Sequence, residues 1–188
     1  MAEIVQQPEI ASGAGASSAD AGTALPLSRR KLDLLFIAFF LVNLFFVTYI
    51  VDIEQIIIPD PAHFQYPLWP PPFFVDMVHS YGRSLDPLQL ARPPWWKATI
   101  WLDAVLFGPY YAVALYAFIK GKNWIKIPSI IWASILMTNV IIILSEEFFG
   151  PSATPHPVIV FLLNLPWLLF PLGMITRMSL KEKPFASK

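Results

Sequence analysis

Four apolar runs dominate the chain: residues 32–51, 98–119, 127–145 and 158–178 each hold at most one charge. Twenty helical residues at about 1.5 Å each reach across the roughly 30 Å hydrocarbon core of a bilayer. No water is available there, so every backbone N–H and C=O must be paired within its own segment, and each run is predicted to be a helix. Composition agrees. Only 14% of residues are charged and 56% are apolar, whereas soluble domains carry about 25% charge. Zero net charge argues against a nucleic-acid partner, which requires a basic footprint. The lack of cysteine removes disulfide frameworks, thiolate metal sites and cysteine nucleophiles. The expected fold is all-α, a four-transmembrane-helix bundle.

Basic residues set the orientation. Arg29, Arg30 and Lys31 precede the first run; Lys120, Lys122 and Lys126 separate the second from the third; Arg177, Lys181 and Lys183 close the fourth. With four spans these groups share one side, and the positive-inside rule makes that side the cytoplasm. Both termini are then cytoplasmic, and Glu146 and Glu147 lie opposite. Residues 1–28, rich in Ala, Ser and Gly, are expected to form a disordered tail without the features of a secretory signal. Residues 29–180 form the membrane domain and residues 181–188 a short cytoplasmic tail.

The first loop, residues 52–97, is dense in proline yet greasy, with Phe64, Tyr66, Leu68, Trp69, Phe73 and Phe74. Within it, residues 73–85 have helical spacing that places Phe74, Met77, Val78 and Tyr81 on one stripe. This spacing predicts a Pro-rich lid between the first two spans, packed on the non-cytoplasmic end of the bundle; an amphipathic segment lying in the interface is the alternative. Trp95, Trp96 and Lys97 suit an interfacial belt.

Polar groups within the runs are the functional candidates, because an ionisable side chain at membrane depth costs about 2.5–3.5 kcal/mol. Asp103 lies inside the second run, and Asp52 ends the first in apolar company. Asn139, beside Thr138, and Asn164 either bridge helices or line a cavity. Asp33 is set aside, since the helix N-terminus and interfacial water both tolerate an acid there. Gly108-Pro109, Pro166 and Pro171 are expected to interrupt their helices and leave room between them, unless they merely shape a solid bundle. His63, His79 and His156 have no metal-ligand spacing. No Gly-rich phosphate loop or serine elbow is present, so no metal or other cofactor is expected.

Several stretches carry a resemblance: Asp86-Pro87-Leu88, Pro93-Pro94, Trp96, Tyr116 through Gly121, Ile127 through Ile131, Met137-Thr138, and Pro166 through Pro171. Together they resemble the EXPERA family, which includes the sigma-2 receptor, the emopamil-binding sterol isomerases and the transmembrane 6 superfamily. The sigma-2 receptor branch is the best counterpart. The resemblance implies a four-helix bundle of the endoplasmic reticulum membrane, often dimeric, whose cavity takes sterols or hydrophobic amines from among membrane lipids. It implies that Asp52 pairs with a ligand ammonium, that Asp86 hydrogen-bonds to Asp52, and that Asp103 stands in the same wall. It also implies that Thr138, Asn139, Asn164 and Trp167 fall in the ligand-binding region; Thr48 and Tyr81 are expected there as well. The isomerase branch carries a His and a Glu where this chain has Thr48 and Asp52, and residues 64–72 look like an insertion.

Two functions follow. Two carboxyls in a low-dielectric site cannot both ionise cheaply, so a pair presents one negative charge to a cation. Binding without reaction is the first expectation. A membrane isomerase or cyclase acting on a sterol or terpenoid, with Asp52, Asp86 or Asp103 as acid/base catalysts, is the second.

Overall fold

The computed structural model describes residues 24–186. Four helices in it are long and apolar enough to cross a membrane: α1 (Lys31–Ile57), α4 (Pro94–Lys120), α5 (Asn123–Phe149) and α6 (Pro157–Ser179). Between α1 and α4 lie the short helices α2 (Pro72–Ser84) and α3 (Leu88–Ala91). Among the described residues there is no strand, only an isolated antiparallel bridge between Ala24 and Ala186. The all-α, four-span expectation therefore holds. Most of the expected N-terminal tail, residues 1–23, lies outside the described residues; residues 27–29 form a 3₁₀ turn.

Helix ends extend beyond the apolar runs for local reasons. Helix α4 opens on Pro94, whose missing N–H costs nothing in a first turn. Helix α5 runs on through Glu146 and Glu147 to Phe149, where extended Gly150 stops it. Two stretches are wound as π-helix, Asn43–Asp52 in α1 and Asp103–Phe107 in α4. Pro109 follows the second of these and does not break the helix. Pro171 likewise sits inside α6, which is instead offset near Leu165.

Helices α1 and α4 pack against each other, as do α5 and α6. Gly108 makes the first contact possible: a Cβ there would stand 2.9 Å from the Tyr49 hydroxyl and 3.0 Å from Thr48 Cγ2. Aromatic rings fill the core. Phe39 stacks on Phe170 with centroids 4.4 Å apart, and Tyr110 stacks on Trp132 at 4.9 Å. Phe40, Phe107, Tyr111 and Phe118 are buried around them. In a bilayer such rings gain little by leaving lipid, so van der Waals packing and ring–ring geometry hold this cluster together.

Asp33 corrects one expectation. It is fully buried rather than washed by interfacial water. Arg30 Nη1 donates to its carboxylate at 2.7 Å, and Arg177 Nη2 donates at 2.9 Å. Both guanidinium groups also lie over the Phe185 ring. Arg30 further caps the end of α4 by donating to the Phe118 carbonyl at 2.7 Å, which binds the start of α1 and the ends of α4 and α6 together.

At the other end a second buried ion group holds α2 and α3 against α1. Glu54 accepts from Arg92 Nη2 at 2.7 Å and meets His79 Nε2 at 2.9 Å. Arg92 Nη1 also donates to the Ile58 carbonyl, and its Nε donates to the Gln89 carbonyl at 2.8 Å. Trp69 Nε1 donates to the Tyr49 carbonyl at 2.7 Å, and the Thr154 hydroxyl donates to the Leu85 carbonyl.

Candidate functional site

A cavity of about 410 Å³ lies among α1, α2, α4, α5 and α6. Most of its wall is apolar: Val51, Val78, Ile100 and Ile143 are typical. Four carboxyl groups face it, from Asp52, Asp86, Asp103 and Glu147. Asp52, Asp86 and Glu147 are each at least nine-tenths buried.

The carboxyls meet in two pairs. Asp52 is hydrogen-bonded to Asp103, joining α1 to α4. Asp86, from the turn between α2 and α3, is hydrogen-bonded to Glu147 of α5. This corrects the partnership implied by the resemblance: Asp52 pairs with Asp103, not with Asp86. The π-wound end of α1 puts Thr48 and Asp52 on the face that meets the π-turn opening at Asp103, and Thr48 Oγ1 donates to Asp103 Oδ2 at 2.5 Å. An ionised carboxylate can only accept, so a carboxyl–carboxyl hydrogen bond requires a proton on one member.

Asp86 lies outside the spanning helices. Burial, the largest influence, pushes its carboxyl up to about 6. The Leu88 N–H, donating at 3.2 Å, opposes that rise. Tyr81 borders the same pair; burial first, then the charges of Asp86 and Glu147, raise its hydroxyl well above the usual range. It is therefore a neutral donor at any working pH.

Of the remaining expected residues, Asn139, Asn164 and Trp167 line the cavity. Asn164 Nδ2 donates to Glu147 at 3.3 Å and to the Val160 carbonyl at 3.0 Å. Trp167 Nε1 donates to Asn43 at 2.8 Å, which fixes its ring. Thr48 stands behind the wall rather than in it. Thr138 is exposed on the outer face of α5, where its hydroxyl donates to the Ser134 carbonyl of the same helix at 2.9 Å. Sequence reasoning missed Glu147, Gln55 and Gln89 as wall residues. Gln55 is fixed by Trp96, whose Nε1 donates to it at 2.7 Å.

These features define a multi-pass membrane protein built around an apolar, acid-lined chamber between its helices. The chain belongs to the EXPERA family (EXPanded EBP superfamily), which it matches over residues 73–178. It is 28% identical over 160 residues to the sigma intracellular receptor 2 of Xenopus tropicalis, covering 79% of this chain and 88% of that one. It is 31% identical over 126 residues to the sigma intracellular receptor 2 of Homo sapiens, covering 66% of each. The family match takes in Asp86, Asp103 and Glu147; Asp52 precedes it.

Proposed function

We propose that the chain is an intramembrane binding protein for sterols or hydrophobic amines, serving lipid homeostasis or trafficking. Asp52 is the anchor for a ligand ammonium, Asp103 its proton-sharing partner, and Asn139, Asn164 and Trp167 shape the chamber. The observation that carries this reading is a chamber of about 410 Å³ with an apolar wall and paired carboxyls. Pairing with Asp52 offsets part of what a cation loses in dehydration, and nearby ring faces such as Trp96 and Trp167 add attraction. The names of the relatives, intracellular receptors, support the same reading. We place the protein in the endoplasmic reticulum membrane with both termini cytoplasmic, domain limits at residues 29 and 180, and a homodimer as its assembled form.

The hydrogen-bonded carboxyls also support catalysis. A protonated carboxyl can give its proton to an alkene carbon, and a carboxylate can then take one from the neighbouring carbon, moving the double bond. Two measurements decide. Binding of a labelled hydrophobic amine to the purified chain should fall at least tenfold in Asp52→Asn; unchanged affinity rejects the anchor. Incubation with a Δ8-sterol should leave its double bond in place; migration lost in Asp52→Asn replaces the binding reading with the enzymatic one.

A further inference from the structure

The segment that leads into α2 carries large apolar side chains that belong neither to the core nor to the chamber wall. Leu68 is 100% exposed, Phe73 72% and Trp69 47%. Two contacts fix where this segment stands along α1. Trp69 Nε1 donates to the Tyr49 carbonyl at 2.7 Å. The Phe74 ring meets the Phe46 ring edge-on, with centroids 6.2 Å apart. Tyr49 follows Lys31 by 18 residues and Phe46 follows it by 15. Those separations are about 27 Å and about 22 Å of helix, against a hydrocarbon core of roughly 30 Å. The Trp69 indole is therefore held beside the last few ångströms of apolar bilayer, at the end opposite the basic residues. Helix α2 rises from there: Phe74 meets Phe46, whereas His79, five residues on, meets Glu54 nearer the end of α1.

We propose that Leu68, Trp69 and Phe73 form an interfacial anchor whose partner is the acyl-chain boundary of the surrounding bilayer. The anchor fastens the start of α2, the helix that brings Met77, Val78 and Tyr81 to the chamber wall. It continues an apolar surface already present, because Phe45 and Tyr49 are exposed on the outer face of α1. Proline makes the position tolerable. An unpaired backbone N–H is costly beside hydrocarbon, and Pro67, Pro70, Pro71 and Pro72 have none to leave unpaired. The Phe74 and Val75 N–H groups donate back to the Pro71 carbonyl. A tryptophan whose own N–H is satisfied suits the boundary between headgroups and acyl chains. Polar groups mark the water side. Tyr66 donates to Asp76 at 2.7 Å, and Asp76, Ser80 and Arg83 follow Phe73 along the exposed face of α2. In water the three side chains would form an uncovered apolar patch. The anchor does not depend on what the chamber binds.

The chain has no cysteine, so one introduced thiol carries the only label. Bimane is attached to Leu68→Cys in the full chain, held in lipid nanodiscs. Phe45→Cys, on the outer face of α1, is the lipid reference, and the exposed His63→Cys is the water reference. A lipid bearing a nitroxide near the top of its acyl chain should remove about half of the Leu68 emission, as at Phe45. Iodide should quench the Leu68 label about threefold less than the His63 label. Iodide quenching equal to that at His63 puts the tip in water and overturns the proposal. Protection from both quenchers means that protein covers the tip, such as a second copy of the chain, and overturns it too. The fastening has its own readout. Leu68→Ser/Phe73→Ser, which leaves the core untouched, should speed amide hydrogen exchange in α2 about threefold; unchanged exchange overturns the fastening.

Discussion

Arg92 is the residue on which the position of α2 and α3, and so of Asp86, most depends. Arg92 is 3% exposed and its partner Glu54 is fully buried. Arg92→Ala removes the 2.7 Å contact to Glu54 along with the donors to the Ile58 and Gln89 carbonyls. Deleting one member of a buried ion pair costs about 3–5 kcal/mol, because the other is left charged and unpaired. For a domain of this size each kcal/mol moves the melting temperature by about 2–4 °C, which gives a fall of about 6–20 °C. Backbone geometry adds an internal control. Arg92 sits at φ 44, ψ 54, in the left-handed region, which costs a side-chain-bearing residue about 1–2 kcal/mol. Arg92→Gly loses the same ion pair but relieves that strain, so it should lie about 1 kcal/mol above Arg92→Ala. Tryptophan fluorescence during a thermal ramp in detergent measures both. Arg92→Ala melting within about 2 °C of the wild type would refute the claim that this ion group fixes α2 and α3 against α1.

Other outcomes follow from single contacts. Asp86 is raised from its ordinary value of 3.8 to about 6, so between those values the folded chain holds a proton that the unfolded chain has lost; guest-free stability should therefore fall as pH rises through that window. Gly82→Ala would place a Cβ 2.7 Å from Leu90 Cγ, and the crowding between α2 and α3 should cost about 1–3 kcal/mol in unfolding experiments. Thr138→Val should alter amine affinity less than twofold, because the hydroxyl serves its own helix on the outer face.

The four spans were plain in the sequence because the bilayer fixes both their length and their polarity. Asp103 was legible for the same reason: an acid with a short stem, stranded in an apolar run, has to face something polar. Glu147 was not. It follows Glu146 just past the apolar part of α5, where an acid normally marks the interface. Only the continuation of the helix to Phe149 and the donor on Asn164 turn it inward. The Glu54, His79 and Arg92 group was hidden because its members are spread over three elements and share no spacing. Thr138 and Asn139 are neighbours in sequence, yet about 100° of rotation per residue sends one to the outer face and the other to the chamber. The contact between Asp52 and Asp103 joins two spanning helices far apart in sequence, and no residue pattern announces it.

The central claim is that a hydrophobic amine sits inside the bundle against Asp52. Photolysis of a diazirine-bearing octylamine bound to the full chain, followed by mapping of labelled peptides, tests it most directly. Adducts should concentrate on chamber residues such as Val51, Ile100 and Ile143, and should disappear in Asp52→Asn. Adducts confined to lipid-facing side chains such as Phe45, Val105 and Ile141, at equal yield in both proteins, would contradict the account.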